Sequence, residues 1–148
     1  MQSNQTTMFQ LGYLGLLPFI GSVTLILTNT TVFGVAGYQV FITYSAVILS
    51  FLSGILWGSA IDRFSRPLSR KALIVSNVFA LMAWTALLLG GQEHILATLL
   101  LGIGFVSVWF AEKAMRKTDE ISTPSGYQTM RDRLTVSVVI MHGIVFFL

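Results

Sequence analysis

Apolar residues run along this chain in long unbroken stretches, separated by short polar interruptions, with no sustained alternation of apolar and polar positions. Five stretches stand out, at residues 9–27, 40–61, 72–89, 95–111 and 134–148. A helix crossing about 30 Å of hydrocarbon needs roughly 20 mostly apolar residues, so the first four are long enough to span a bilayer. The fifth, roughly 15 residues, covers only about 22 Å. Local thinning of the bilayer, or extension of the helix back toward Met130, would accommodate it. Barrel strands would alternate lipid-facing and lumen-facing positions. Continuous runs point to helices, whose backbone groups are satisfied within each segment. The pattern therefore predicts an all-α fold, a polytopic transmembrane helical bundle of five spans, in a single domain covering residues 1–148.

The connections differ in character. Residues 28–39 are uncharged and rich in Thr and Gly, residues 62–71 hold four bases and one acid, and residues 90–94 form a tight turn. Residues 112–133 are long and of mixed charge, with a turn at Pro124, Ser125 and Gly126. Tyr127 to Arg133 reads as an interfacial helical turn leading into the last span. Pro18, between Gly15 and Gly21, has no N–H to donate and should bend or weaken the first helix.

Charge then orients these spans. All nine Lys and Arg residues fall within 63–71 and 113–133. Short loops bearing Lys and Arg are retained on the cytoplasmic face, so both basic stretches lie inside, with the N-terminus in and the C-terminus out. Arg63, Arg66, Arg70, Lys71, Arg131 and Arg133 are expected to anchor the span ends among lipid headgroups. Only 10% of residues are charged, against about 25% in a soluble domain. A net charge of +3 alone would suit a nucleic-acid binder. The bases lie between hydrophobic runs, however, and topology accounts for them without a nucleic-acid partner. There are no cysteines, which removes disulfides, thiolate metal sites and cysteine nucleophiles. Residues 1–10 carry no Lys or Arg and the first run has no A-x-A-like site, so no cleaved signal peptide is expected. A bacterial inner membrane is the simplest location.

Few residues suggest chemistry. In the second span Ala46, Ser50, Gly54, Gly58 and Asp62 recur every four positions along one ridge. Ser50, Gly54 and Gly58 would let another backbone approach closely, either within the chain or on a partner, and Gly54 to Gly58 is a GxxxG. His142 lies nine residues beyond Arg133 and so about 13 Å inside the cytoplasmic boundary. An intramembrane ionisable group is a functional candidate, and the competing role is a neutral imidazole bonded to a neighbouring helix. Ser53 with His142 superficially resembles the serine motif of rhomboid proteases, but Phe51 replaces the first Gly of that family's GxSG. His94 sits beside Glu93 in the outer turn, at a different depth from His142, which argues against haem ligation by the pair within one chain. No metal or cofactor site is expected. Asp62 and Glu112 close the second and fourth spans at the inner face, near Arg63 and Arg66 and near Lys113 and Arg116 respectively, and should form interfacial ion pairs.

The order of segments resembles the membrane family termed domain of unknown function 3429, which includes transmembrane protein 69-like proteins. The resemblance is carried by LGYLGLLPFIG at 11–21, YSAVILSFLSGILWG at 44–58 and YQTMRDRLT at 127–135. It implies a small multi-span integral membrane protein of the kind found in bacteria and mitochondria, and it supplies no activity and no catalytic residues. The expectation is a noncatalytic membrane component: an accessory or assembly subunit of a membrane complex, or a self-associating scaffold. Its partners would be lipids and either a second copy or another membrane protein. The alternative is a small oligomeric transporter or channel using Ser50, Ser53, Asn77, Thr135 and His142.

Overall fold

Helices α1 (Asn4–Leu14) and α2 (Leu17–Thr28) are followed by strands β1 (Thr31–Val32) and β2 (Val35–Ala36) and then by α3 (Gly37–Asp62), α4 (Pro67–Leu89), α5 (His94–Thr118) and α6 (Tyr127–Phe147). The structure, a computed structural model, describes residues 4–62, 64–118 and 126–148. Arg63, Pro124 and Ser125 lie outside the described residues.

The first apolar run divides where proline requires it. Pro18 sits in the first turn of α2, after a break at Gly15 and Leu16. Pro18 cannot donate to the preceding turn, so a continuous ladder fails here. The Gly15 carbonyl instead accepts a hydrogen bond from the Tyr44 hydroxyl of α3, at 2.7 Å. A backbone group freed by the bend thus becomes a link between helices, as apolar surroundings require.

At the other end of α2 the uncharged, Thr- and Gly-rich stretch is a small hairpin that hydrophobic patterning alone did not predict. Asn29 takes a left-handed conformation (φ +53°), and the Asn29 and Thr30 amides bond back to Ile26 and Leu25 to close the helix. Thr31 then pairs with Ala36 and Val32 with Val35 across a turn at Phe33 and Gly34, both at positive φ. Two central residues of that kind make a type I′ turn, whose twist matches the strands. The hairpin feeds directly into α3, where the backbone of α2 passes so close that a Cβ on Gly37 would lie 2.8 Å from the Ile26 nitrogen.

Helix α3 is central, in contact with α2, α4 and α5. Its buried positions Phe41, Ser45, Leu49, Leu52, Leu56 and Ala60 are spaced by three or four residues, the period of one helix face. Across from it α4 presents Ala72, Ser76, Phe79, Ala83 and Ala86, again at three and four. Small residues on such a stripe bring helix axes close, which raises van der Waals contact where no hydrophobic effect separates protein from lipid. Leu81, Trp84, Leu88, Ile103, Phe110 and Phe51 project outward instead, so large apolar side chains cover the outside of the bundle. That surface suits hydrocarbon and would be a liability in water.

Among the described residues four helical units are long and apolar enough to cross a membrane: Asn4–Thr28, Gly37–Asp62, Pro67–Leu89 and His94–Arg116. Each of the first four predicted spans falls inside one of them. Helix α6 differs, because Arg131, Asp132 and Arg133 occupy its second turn. Its apolar part, from Leu134 onward, amounts to roughly 14 residues or about 21 Å, short of the hydrocarbon thickness.

The contact at Gly37 is with backbone, which cannot rotate away. Gly37→Ala should cost about 1–3 kcal/mol through overpacking. Gly21→Ala, where a Cβ meets nothing within 4 Å, should leave stability unchanged or raise it slightly. Thermal melting of both variants in mild detergent measures the difference.

Candidate functional site

The C-terminal end of α5 and the N-terminal end of α6 carry matching polar sets. On α5, Trp109, Glu112, Lys113 and Arg116 share one face by their spacing of three, four and seven; on α6, Gln128, Arg131, Asp132 and Thr135 repeat that spacing. The two helices pack together, and the two sets meet.

Glu112 lies at the centre and is only 4% exposed. Arg131, 6% exposed, grips it bidentately, with Nε donating to Oε2 and Nη2 to Oε1, each at 3.1 Å. Arg116 donates from Nη2 to the same Oε2, also at 3.1 Å, and to the Gln128 side-chain oxygen. The guanidinium fork matches carboxylate geometry, and its fixed plane lets one acid join two helices. The third donor of Arg131, Nη1, is more loosely engaged, 3.4 Å from the Thr135 hydroxyl. Around this core Asp132 accepts from Trp109 Nε1 at 2.7 Å and from Gln128 Nε2 at 2.8 Å, and Lys113 stands 3.8 Å away and over the Trp109 ring. Two carboxylates thus share three cations, an excess of one positive charge.

Partial burial works against charge on Asp132, but hydrogen bonds from Trp109 and Gln128, aided by Lys113 and Arg116, outweigh it and hold the carboxyl below its ordinary range. Burial pushes the Tyr127 hydroxyl above its ordinary value, and the charge of Glu112 adds to the effect. Tyr127 therefore stays a hydrogen-bond donor at neutral pH.

Deeper in α6, the face that carries Arg131 continues through Thr135, Val138, His142 and Val145, all buried. His142 Nδ1 lies 2.7 Å from the Val138 carbonyl, which only accepts, so this nitrogen carries the proton. In the neutral ring Nε2 is then an acceptor, and the Ser45 hydroxyl donates to it at 2.6 Å. Phe19, Phe41 and Phe105 surround the imidazole with ring centroids at 5.9, 4.7 and 5.2 Å. Nε2 and the serine join α3 to α6, while Nδ1 is tied back to the preceding turn of α6.

The sequence-derived candidates fall as follows. His142 is buried and pairs with Ser45, whereas Ser53 bonds back to the Ser50 carbonyl of its own helix. Asn77, exposed on α4, bonds to the Leu73 carbonyl, and Thr135 belongs to the Arg131 network. Ser50, Ser53, Asn77, Thr135 and His142 are not brought onto one path. Arg66, Arg70, Lys71 and Arg133 are exposed at the helix ends, while Arg63 lies outside the described residues. Arg131 departs from expectation: its side chain turns inward to Glu112, because a buried carboxylate binds a guanidinium more tightly than open solvent does. Lys113, expected beside Glu112, stands beside Asp132. His94 is half-buried and stacks on Tyr38 at 4.4 Å. Ser50, Gly54 and Gly58 face outward, and a Cβ on either glycine would meet nothing within 4 Å. Among the described residues no group of three His, Cys, Asp or Glu converges as a metal site would.

Two features escaped the sequence reading. Ser45 gave no local signal, being one of several serines in α3. The α5–α6 network did give one, since the two polar sets share the same spacing on helices joined by a single loop. The chain belongs to the family described as Protein of unknown function (DUF3429), which it matches over residues 4–147. No curated protein and no solved structure matches it.

Breaking a buried pair leaves an uncompensated charge. Glu112→Leu and Arg131→Leu should each cost about 3–5 kcal/mol, and the double variant clearly less than their sum. Unfolding in detergent, read as a double-mutant cycle, gives the coupling. Asp132 contributes in a pH-dependent way. Its carboxyl ionises more readily in the folded state, so the stabilisation is present above the ordinary carboxylate range and fades as pH falls through it. Between about pH 6 and pH 3 the melting temperature should fall more steeply for the native protein than for Asp132→Asn.

Proposed function

We propose that this member of the DUF3429 family is a noncatalytic integral component of a bacterial inner membrane that associates through α3 with a membrane-protein partner or a second copy of itself. The supporting observation is the outward face of Ser50, Gly54 and Gly58. It is open beyond the glycine backbones and flanked by the exposed side chains of Val47, Phe51 and Trp57. Helices in hydrocarbon associate where small residues permit close backbone contact, and this surface is left uncovered by the other described residues. The buried polar side chains also favour an architectural role, since none of them among the described residues lacks a hydrogen-bond partner. Ser45, His142, Glu112 and Arg131 are occupied in joining helices, and Thr135 supports Arg131 within α6.

In this reading the chain crosses the bilayer five times, N-terminus in and C-terminus out, with both basic stretches on the inner side. Helix α6 is the fifth crossing, its charged first turns at the inner boundary and its short apolar part accommodated by local thinning.

Gly54→Leu and Gly58→Leu, singly and together, should weaken association about tenfold or more, equivalent to roughly 1.4 kcal/mol. On native gels from mild detergent the higher-mass species should give way to the free chain while membrane insertion is unchanged. Complexes that persist in the double variant would overturn the assignment of α3 as the contact face.

A further inference from the structure

A cavity of about 390 Å³ lies among α1, α2, α3 and α6, within the size range of small-molecule sites. It exists because the bend before Pro18 leaves α1 leaning on α6 while α2 packs on α3, and because Gly12 and Gly15 contribute no side chains to its wall. Leu16, Ile48, Leu52 and Ile55 give it an apolar interior. Leu11 and Phe51, both exposed, stand at its margin, so it opens sideways toward whatever surrounds the bundle. An apolar space of this kind holds water poorly and takes an apolar occupant.

One end differs in chemistry. Arg131, Thr135 and Tyr127 line the cavity there. This is the end at the charged termini of α5 and α6, where three cations face two carboxylates. Arg131 has its loosest donor, Nη1, beside Thr135 at 3.4 Å, and a guanidinium is well suited to a phosphate oxygen. An apolar slot ending in a guanidinium and a phenol complements a lipid, whose chain and headgroup phosphate are arranged in the same order.

We propose that this cavity binds one phospholipid with an anionic headgroup, an acyl chain lying between α1 and α3 and the phosphate against Arg131 and Tyr127. The site requires insertion in a membrane but not the α3 contact, since Ser50, Gly54 and Gly58 are not among its walls. Disrupting association with Gly54→Leu should therefore leave lipid retention unchanged.

The test is native mass spectrometry of the full chain in detergent with equal amounts of phosphatidylglycerol and phosphatidylcholine. The native protein should retain a single phosphatidylglycerol, preferred about tenfold. Ile48→Trp, which fills the wall, should reduce retention of both lipids about tenfold; Leu16→Phe serves the same purpose if the first variant fails to fold by circular dichroism. Replacing the ion pair with a neutral one, Glu112→Gln with Arg131→Gln, should keep lipid bound but abolish the preference. Equal retention of the two lipids by the native protein, undiminished retention in a folded wall variant, or a polypeptide in place of lipid would each overturn the proposal.

Discussion

Glu112 held between two guanidiniums is the interaction on which the C-terminal half of the bundle depends. A carboxylate that is nearly inaccessible to water loses several kcal/mol of hydration, and only close, well-aligned cations return it. Arg131 does so from α6 and Arg116 from α5 itself. The bidentate geometry permits little sliding, so α6 is set in register against α5. His142 follows eleven residues after Arg131, about three turns along the helix. It therefore points inward on the same face and arrives opposite Ser45 of α3.

The same requirement governs the rest of the interior. Where water is scarce, each polar group must find a protein partner; Ser22, Ser53, Ser76 and Thr98 find theirs on their own helix, and a few others reach across to another. Tyr44 and Ser45 are adjacent on α3 but act in two directions, Tyr44 toward the bend between α1 and α2 and Ser45 toward α6. Phe19 connects these regions by packing edge-on to both Tyr44 and His142. The polar contacts that do join different helices complement small-residue packing that is sequence-tolerant and weakly directional by itself.

What the bundle presents outward is consequently simple. One flank of α3 is smooth and suited to another helix. Beside α1 the kinked first run leaves a lateral opening with an arginine at one end. These are different kinds of surface, one shaped for backbone approach and the other for an elongated amphiphile.

Several features were legible in the amino-acid sequence because they depend on local properties. Continuous apolar runs specify helices. Pro18 specifies a break, because the missing N–H acts within one turn. The spacing of Gly54 and Gly58 specifies a smooth face. The apolar sequence after Arg133 is visibly shorter than the other four runs. Tertiary structure decided which face turns where. Small residues are equally compatible with an inner or an outer position, and only the packing of α4 against the opposite side of α3 left Ser50, Gly54 and Gly58 outside. A guanidinium near a helix end can reach headgroups or turn inward, and Arg131 turns inward because Glu112, nineteen positions away in sequence, is brought beside it by the return of α6. Ser45 and His142 are ninety-seven positions apart, and no local signal joins them. A hydrogen bond depends on distance and direction between helices, which are set by the packing of the whole bundle.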